Sequence, residues 1–238
     1  MNSEIRPQTR SKLSIEDLQC QWVSGLRVPQ EGSKPFTLLS VCGPSGSGKT
    51  TVCRSLADTW PAYLEDVEGN PYLQKLLERS SEFDAAGNQK WFLDRIGRFV
   101  KAAPAGPVVL DQDPSAIVLA YSRMFFDVGK ITECQYNSLL EELLHIEQVL
   151  LRWKVPRTVL CLDAPAEVLQ QRVVQRWGIT HTPPLAWFVR VRSHFLDLFS
   201  RFPNAIKVST VELSVEKVVS LAKHLLKDDR EGAQAWPS

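Results

Sequence analysis

The chain has 238 residues, which fits one α/β domain, and 44% of them are hydrophobic, enough for a sizeable core. Its 28 Lys and Arg residues against 27 Asp and Glu residues leave a net charge of +1, which argues against a bulk nucleic-acid binder, since such proteins are usually clearly basic. No apolar stretch approaches the roughly 18 residues of a membrane-spanning helix, and no hydrophobic signal core is present at the N-terminus. The five cysteines follow no metal-binding spacing and fit a reducing compartment. We therefore expect a cytoplasmic protein with neither nucleic acid nor a membrane as partner.

The hydrophobic pattern predicts a single α/β domain at residues 35–227, between a polar extension at 1–34, with at most one short helix, and a polar tail at 228–238. The apolar run Phe36–Cys42 is typical of a buried parallel strand. Further strands are predicted at 62–65, 107–111, 158–163 and 205–209. Helices are predicted at 50–60, 74–79, 89–102, 115–153 (at least two, broken near Gly129), 166–177, 185–199 and 214–226. Because parallel strands need crossovers, this alternation predicts a five-stranded parallel sheet with helices on both faces.

Residues 43–51, GPSGSGKTT, contain the pattern G-x-x-x-x-G-K-[ST] between a predicted strand and a predicted helix. Glycines let the backbone turn so that several N–H groups point at phosphate oxygens, and the helix that follows adds its positive N-terminal end. The lysine neutralises the β- and γ-phosphates, and the following hydroxyl ligates Mg²⁺. We call this segment the phosphate loop, and it predicts an ATP site at Gly43, Pro44, Ser45, Gly46, Ser47, Gly48, Lys49, Thr50 and Thr51.

The phosphate loop does not by itself separate switches, motors and kinases. The chain has no Asn-Lys-x-Asp run of the kind that reads guanine, and no Leu-Ser-Gly-Gly signature of transporter ATPases. Residues 107–113, PVVLDQD, place Asp111 after four apolar residues, at the end of a predicted strand. Asp111 is therefore a candidate Mg²⁺ ligand together with Thr50, directly or through water.

Four later segments resemble the deoxynucleoside kinase family, especially its bacterial members, and they occur in the family's order. They are YLEDVEGNPYLQKLLE (63–78), NQKWFLDR (88–95), AIVLAYSRMFFDVGKITECQY (116–136) and LCLDAPAEVLQQRVVQR (160–176). The resemblance covers about residues 36–210. It implies a P-loop kinase fold with a helical lid, which transfers the γ-phosphoryl group of ATP to a hydroxyl of a nucleoside or nucleoside-like small molecule.

The resemblance also implies roles for individual residues. Glu65 matches the general base, with Asp66 and Glu68 as near rivals, and the carboxyl end of a strand is where α/β sheets place their ligands. Gln89 matches the residue that reads the edge of the nucleobase, since its amide both donates and accepts.

Charged groups complete the predicted site. Arg172 and Arg176 lie one helical turn apart and match a lid pair that closes over the phosphates and acts in catalysis with Lys49. Arg95 is predicted to neutralise substrate or phosphate charge, and Asp111 to contact substrate as well as metal. Trp91, Phe92, Phe125 and Phe126 either flank a flat ring or belong to the core.

The chain departs from the family pattern at three places. Residues 111–113 read Asp-Gln-Asp where the family has an acidic residue followed by Arg-Ser. Leu76 or Leu77 stands where a tyrosine is expected, and residues 178–184 contain no acidic lid residue. The last two groups normally hold the 3′-hydroxyl of the sugar, so their replacement predicts an acceptor that is less polar or differently decorated.

Two other functions remain open from the sequence. A nucleoside monophosphate kinase would bind the acceptor phosphate with arginines such as Arg95, Arg98 and Arg123. The second is a regulatory protein that binds a nucleotide but does not catalyse a reaction, which the altered Asp-Gln-Asp segment leaves open. Apolar residues of one predicted helix form either a homodimer face or an intramolecular core face: Leu139, Leu140, Leu143, Leu144 and Ile146.

Overall fold

The computed structural model describes residues 36–65, 69–202 and 205–234, with side chains through residue 226. The predictions for residues 1–34, for Asp66 and Glu68, and for the last residues of the tail lie outside this part of the chain. None of the helices in the described ranges is long and apolar enough to cross a membrane.

Strands and helices alternate along the chain. The strands are β1 (Phe36–Cys42), β2 (Ala62–Tyr63), β3 (Gly106–Asp111), β4 (Arg157–Asp163) and β5 (Ile206–Ser209). The α-helices are α1 (Lys49–Ala57), α2 (Leu73–Leu77), α3 (Ala85–Ala102), α4 (Pro114–Ala116), α5 (Arg123–Asp127), α6 (Glu133–Arg152), α7 (Ala166–Trp177), α8 (Leu185–Arg201) and α9 (Val215–Gln234). A π-helical segment, Ile117–Ser122, joins α4 to α5, and a 3₁₀ turn, Ile179–His181, lies between α7 and α8.

The five strands form one parallel sheet in the order β2-β3-β1-β4-β5. At the carboxyl end of β1, Val41 lies beside Asp111 of β3, and Cys42 lies beside Cys161 of β4. The carboxyl ends of parallel strands share one edge, so the phosphate loop leaves the sheet between the ends of β3 and β4. The predicted five-stranded parallel sheet is confirmed.

Alternate residues of β1 face opposite sides of the sheet, and both sides are buried. Leu38 and Cys42 pack in a core formed with α3, α6 and α8, while Leu39 and Val41 pack in a second core with α1 and α9. This explains why β1 reads as a continuous apolar run, as expected of a strand covered on both faces. The prediction of helices on both faces is confirmed.

The apolar face of α6 packs within the chain. Leu139, Leu143 and Ile146 are buried in the core under α3 and α8, and Leu140 is half-buried against the same core. Intramolecular packing therefore accounts for four of the five residues that the sequence left open between a dimer face and a core face; Leu144 is half-buried outside this core, and the homodimer stays a prediction.

Two helix boundaries differ from their predictions by four residues or more. Helix α3 begins at Ala85 rather than at residue 89, because the Asp84 carboxylate caps it by accepting a hydrogen bond from the Gly87 N–H at 2.9 Å. Helix α9 continues to Gln234, beyond the predicted boundary at 227. Its polar composition suggested a tail, but Lys, Arg and Glu are good helix formers, so polarity alone does not end a helix.

The segment from α4 to α6 contains a feature that the sequence did not predict. The break near Gly129 is confirmed, since α5 ends at Asp127 and Gly129 has a φ of +70°. However, Ile117–Ser122 is π-helical, and the Ser122 hydroxyl donates to the Ile117 carbonyl at 2.8 Å. A π-helical turn holds one extra residue, and hydrophobic periodicity does not reveal it because the surrounding residues are all apolar.

A buried ionic cluster holds the turn between β3 and α4. Arg157, the first residue of β4, forms an ion pair with Asp113, and its Nη1 lies 2.9 Å from both carboxylate oxygens of Glu147 on α6. Burial alone would raise the pKa of Asp113, but the Arg157 charge and hydrogen bonds from Ser115 outweigh it and hold that pKa below its usual value. Both acidic residues are buried and the Arg157 side chain is 12% exposed, so the cluster ties three elements together largely out of water.

We expect Arg157→Met to lower the free energy of unfolding by about 3–5 kcal/mol, since it leaves two buried carboxylates without their cation. Chemical denaturation monitored by circular dichroism measures this. The matched control is Arg201→Met, because Arg201 forms an exposed pair with Asp197 and should cost at most about 1 kcal/mol. Equal losses in the two variants would contradict the structural importance of the cluster.

Candidate active site

The phosphate loop is a backbone cradle at the N-terminus of α1. A Cβ atom at Gly43 would overlap the Leu162 carbonyl oxygen, and one at Gly46 would come within 2.6 Å of the Leu169 carbonyl oxygen. Gly46 and Gly48 have φ values of +85° and +94°, which favour glycine. Side chains at Gly43 and Gly46 would collide with neighbouring backbone, so the tight loop requires glycine there. A glycine-rich loop at a helix N-terminus fits the phosphates of a nucleoside triphosphate.

Gln112 joins the phosphate loop to the end of β3. Its side-chain amide makes two hydrogen bonds of 3.4 Å with Gly43, one accepted from the Gly43 N–H and one donated to the Gly43 carbonyl. Its backbone N–H donates to the Val41 carbonyl at 3.0 Å, and its φ is +82°. Gln112 is the residue found where the family pattern has arginine, and here it positions the phosphate loop.

Glu65 and Asp111 lie together beside the phosphate loop. The Glu65 backbone N–H donates to Asp111 Oδ2 at 3.3 Å, just past the end of β2. Burial raises the pKa of the Glu65 carboxyl to about 7; the positive charges of Lys49 and Arg176 oppose this rise, and the negative charge of Asp111 adds to it. A carboxylate with a pKa near 7 is well suited to accept a proton at neutral pH.

Asp111 carries an oxygen that fits a bound cation. Asp111 is fully buried, and its Oδ1 has no hydrogen-bond partner among the described residues. A buried carboxylate oxygen without a partner is costly, and a hard cation offsets that cost. The described residues include no group of three or more His, Cys, Asp or Glu that could hold a metal.

The two predicted lid arginines have different surroundings. The Arg172 guanidinium donates to the Gly46 carbonyl at 3.2 Å and to the Thr210 hydroxyl and carbonyl at 2.8 and 2.9 Å, so it links α7 to the phosphate loop and to the end of β5. Arg176 is exposed, with its guanidinium 5.2 Å from the centroid of the Trp177 ring. Its charge acts on Glu65, so Arg176 is the arginine available to the site.

A cavity of about 140 Å³ extends from the phosphate loop under α7 and α8. Ser45 and Glu65 line it beside the phosphate loop and the end of β2, and Gln89 lines it from α3. Gln89 is 4% exposed, and no described side chain hydrogen-bonds to its amide. The predicted general base Glu65, the predicted nucleobase-binding residue Gln89 and the phosphate loop therefore line the same cavity.

The walls of this cavity are largely apolar and aromatic. Of the four aromatic residues singled out from the sequence, Phe92 and Phe125 line it. Arg95 does not: its guanidinium lies 4.7 Å from the centroid of the Trp91 ring, and its positive charge opposes the rise that burial causes in the pKa of the Tyr63 phenol. The structure thus separates Arg95 from the other predicted substrate-binding residues.

Tyr121 is a residue of the site that sequence reasoning missed. It lies in the π-helical segment, lines the cavity, and packs its ring edge-on against Phe195 with centroids 5.2 Å apart. Burial and the charge of Glu65 raise the pKa of its phenol, while a hydrogen bond from the Ser45 backbone opposes the rise. No motif marks it, because the extra π-helical residue alters which side chains face the cavity.

Comparison of the sequence with protein-family models finds no match, and no curated protein matches it. Solved structures do match the fold. Deoxyadenosine kinase from M. mycoides with the products dCMP and a flexible dCDP bound superposes with a TM-score of 0.65 at 14% identity, covering 81% of this chain and 99% of that one. The same enzyme with dCTP bound gives 0.65 at 15% identity, covering 81% and 100% of the two chains. With dATP bound it gives 0.62 at 16% identity, with 80% and 100% covered. The chain therefore has the α/β fold of these kinases, as the resemblance implied.

We expect Gly46→Ala to weaken ATP binding at least about tenfold, because the new Cβ would press on Leu169 and require a strained backbone. Isothermal titration calorimetry measures the affinity. The matched control is Gly97→Ala in α3, where the Cβ would make only ordinary contacts of 3.6 Å with Ile146 and should leave ATP affinity unchanged. An unchanged affinity in Gly46→Ala would contradict a tight cradle.

Glu65 should also leave a signature in the pH dependence of stability. A folded pKa of about 7, above the value of 4.5 for a free Glu side chain, means that the folded protein binds this proton more tightly than the unfolded chain. The free energy of unfolding should therefore fall as pH rises from about 4.5 to 7. Relative to wild type, Glu65→Gln should gain on the order of 1–2 kcal/mol at pH 8, a figure reduced for the partial exposure of this carboxyl. Denaturation curves at pH 5 and pH 8 test this, and an equal effect of the substitution at both values would contradict it.

Proposed function

We propose that this chain is an ATP-dependent kinase that phosphorylates a hydroxyl of a nucleoside-like small molecule. The proposal rests on one observation, that Ser45 of the phosphate loop, Glu65 and Gln89 line the same cavity. An acceptor in this cavity would have one end beside the terminal phosphate and beside a base whose pKa is about 7. The shared fold of a deoxyadenosine kinase supports the same reaction class.

In the proposed reaction, the acceptor hydroxyl attacks the γ-phosphorus of ATP in line. Its oxygen forms the new P–O bond, the bond to the ADP oxygen breaks, and the hydroxyl proton passes to the Glu65 carboxylate. Lys49 is the first residue of α1 and is buried, and its Nζ donates to the Pro44 carbonyl at 3.4 Å. Its ammonium group supplies positive charge to the phosphates. Arg176 adds charge from the lid.

Other residues position the reacting groups. Arg172 and Gln112 hold the two sides of the phosphate loop through Gly46 and Gly43, so the backbone N–H groups are fixed before ATP binds. Asp111 and Thr50 are the side chains that would hold Mg²⁺. When bound there, the ion would neutralise charge on the phosphate oxygens.

A nucleoside is a better acceptor for this cavity than a nucleoside monophosphate. The arginines that a monophosphate kinase would use, Arg95, Arg98 and Arg123, do not line the cavity. Arg123 forms an ion pair with Asp127 at the surface. We therefore expect ADP release with nucleoside-like alcohols and little with monophosphates, in a coupled assay that compares the two acceptor classes.

We expect Glu65→Gln to lower kcat by about 10²–10⁴-fold while ATP affinity stays within a few-fold of wild type, because only the proton acceptor is removed. The kinetic assay is ADP release with the best acceptor, and calorimetry gives the ATP affinity. Glu82→Gln is the matched control, since Glu82 is exposed and paired with Lys75. The wild-type kcat/KM should fall as pH drops below about 7, as Glu65 becomes protonated.

Undiminished turnover in Glu65→Gln would exclude Glu65 as the base. If the wild-type protein bound ATP but released no ADP with any acceptor, the non-catalytic alternative would replace the kinase.

A further inference from the structure

Two buried asparagines line the cavity, and the proposed reaction uses neither of them. Asn70 lies in the turn before α2, and Asn88 lies on α3 directly before Gln89. The two asparagines are 6% and 2% exposed. A side-chain amide has a donor end and an acceptor end, so what it offers to a ligand depends on which end faces the cavity.

A chain of hydrogen bonds fixes the orientation of both amides. The Tyr72 backbone N–H donates to Asn70 Oδ1 at 2.9 Å. Because a backbone N–H can only donate, Asn70 must turn its oxygen toward it, and Asn70 Nδ2 then donates to Asn88 Oδ1 at 2.7 Å. Turning either amide over would bring two donors together. The backbone therefore sets the orientation of Asn88, with its oxygen used inside the protein.

The amino group of Asn88 is left for a ligand. Among the described residues Nδ2 has no hydrogen-bond partner, and it is not one of the unpaired polar atoms that are sealed from solvent. Asn88 as a whole is buried and lines the cavity, so this amino group is accessible from the cavity. A buried donor without a partner is costly, and a hydrogen-bond acceptor on a bound molecule offsets that cost.

Gln89 and Phe92 lie beside Asn88 on the same helix. Phe92 follows Asn88 by four residues, which puts the two side chains on one side of α3, and all three residues line the cavity. A flat heterocycle suits this group, because its face can pack on the aromatic ring while its edge contacts the amides. In this arrangement Asn88 can only donate, whereas the Gln89 amide can donate or accept.

We infer that Asn88 is a second residue that determines specificity for the phosphorylated molecule, called the substrate below, an inference that rests on the proposed function. Asn88 is an oriented donor, and it requires an unprotonated ring nitrogen or a carbonyl oxygen on the heterocycle of the substrate. A C–H group at that place would leave the donor unpaired, and an N–H group would oppose it. Asn70 acts through Asn88 as a positioning residue.

The test exchanges single hydrogen-bond acceptors of the substrate while keeping its shape. The compounds are 2′-deoxyadenosine with its 1-deaza, 3-deaza and 7-deaza analogues, and 2′-deoxycytidine with its 3-deaza and 2-thio analogues. Isothermal titration calorimetry measures their binding to the wild-type protein and to Asn88→Leu. At least one analogue should bind the wild type about tenfold more weakly than its parent, because the buried donor loses its partner. The same analogue should bind Asn88→Leu less than about twofold more weakly than its parent, since the donor is absent.

Gln89→Leu and Asn137→Leu are the matched controls. Both variants keep the Asn88 donor, and Asn137 is exposed on α6. The analogue that distinguishes wild type from Asn88→Leu should therefore keep its penalty of about tenfold in both. Circular dichroism checks that the variants fold, and Asn88→Ala replaces Asn88→Leu if that variant does not.

Asn70→Leu tests the positioning role. The substitution releases Asn88 Oδ1, so the Asn88 amide can turn and its donor is no longer held toward the cavity. The penalty of the same analogue should fall to a value between those of the wild type and Asn88→Leu. An unchanged penalty would overturn the role of Asn70.

The outcomes separate the inference from the proposed function. Equal weakening of parents and analogues by Asn88→Leu would indicate a purely structural role and overturn the inference, as would the absence of binding by either nucleoside. Nucleoside binding in which Asn88→Leu removes the penalty of one analogue, without ADP release, would support the inference and reject the kinase. ADP release from nucleosides, with no analogue affected by Asn88→Leu, would support the kinase and overturn the inference.

Discussion

The structure depends on the parallel register of β1 with its two neighbours. This register places Val41 beside Asp111 and Cys42 beside Cys161, so the phosphate loop begins where two other strands end. Groups that are far apart in the chain therefore meet without long connecting loops. A shift of one residue in this register would turn the apolar residues of β1 to the wrong faces and move Asp111 away from the loop.

A strained turn and buried charges maintain the site once the register is set. Gln112 adopts a left-handed backbone and hydrogen-bonds to Gly43, and the next residue, Asp113, is held by Arg157. Burying ions costs stability unless each is paired. Here the buried ions lie at the turn after β3, where Gln112 contacts the phosphate loop and Asp113 points into the core. Strain at a functional site that the surrounding structure determines is a common arrangement.

Most of the fold could be predicted from the hydrophobic pattern of the sequence, whereas only part of the candidate site could. The strands were predicted because continuous apolar runs separated by helices have one architectural solution. The phosphate loop was predicted because its chemistry requires those residues at that spacing. Tyr121 and Gln112 were missed, because a π-helical residue and a side-chain hydrogen bond across 69 positions leave no periodic mark. Arg95 and Arg172 were assigned within the family resemblance, and a resemblance in sequence does not show which neighbour a long side chain contacts.

By itself the sequence predicted the phosphate loop and the parallel sheet from local composition and order, and the family resemblance made Glu65 a candidate base. Only the tertiary structure decided which of these residues share a space. It brought Glu65, Gln89 and Ser45 to one cavity, and it tied Arg172 to the backbone of the phosphate loop. The reason is physical. Residue type and spacing specify which groups a side chain can bind, whereas packing determines which groups it contacts, and burial determines how strongly neighbouring charges shift its pKa.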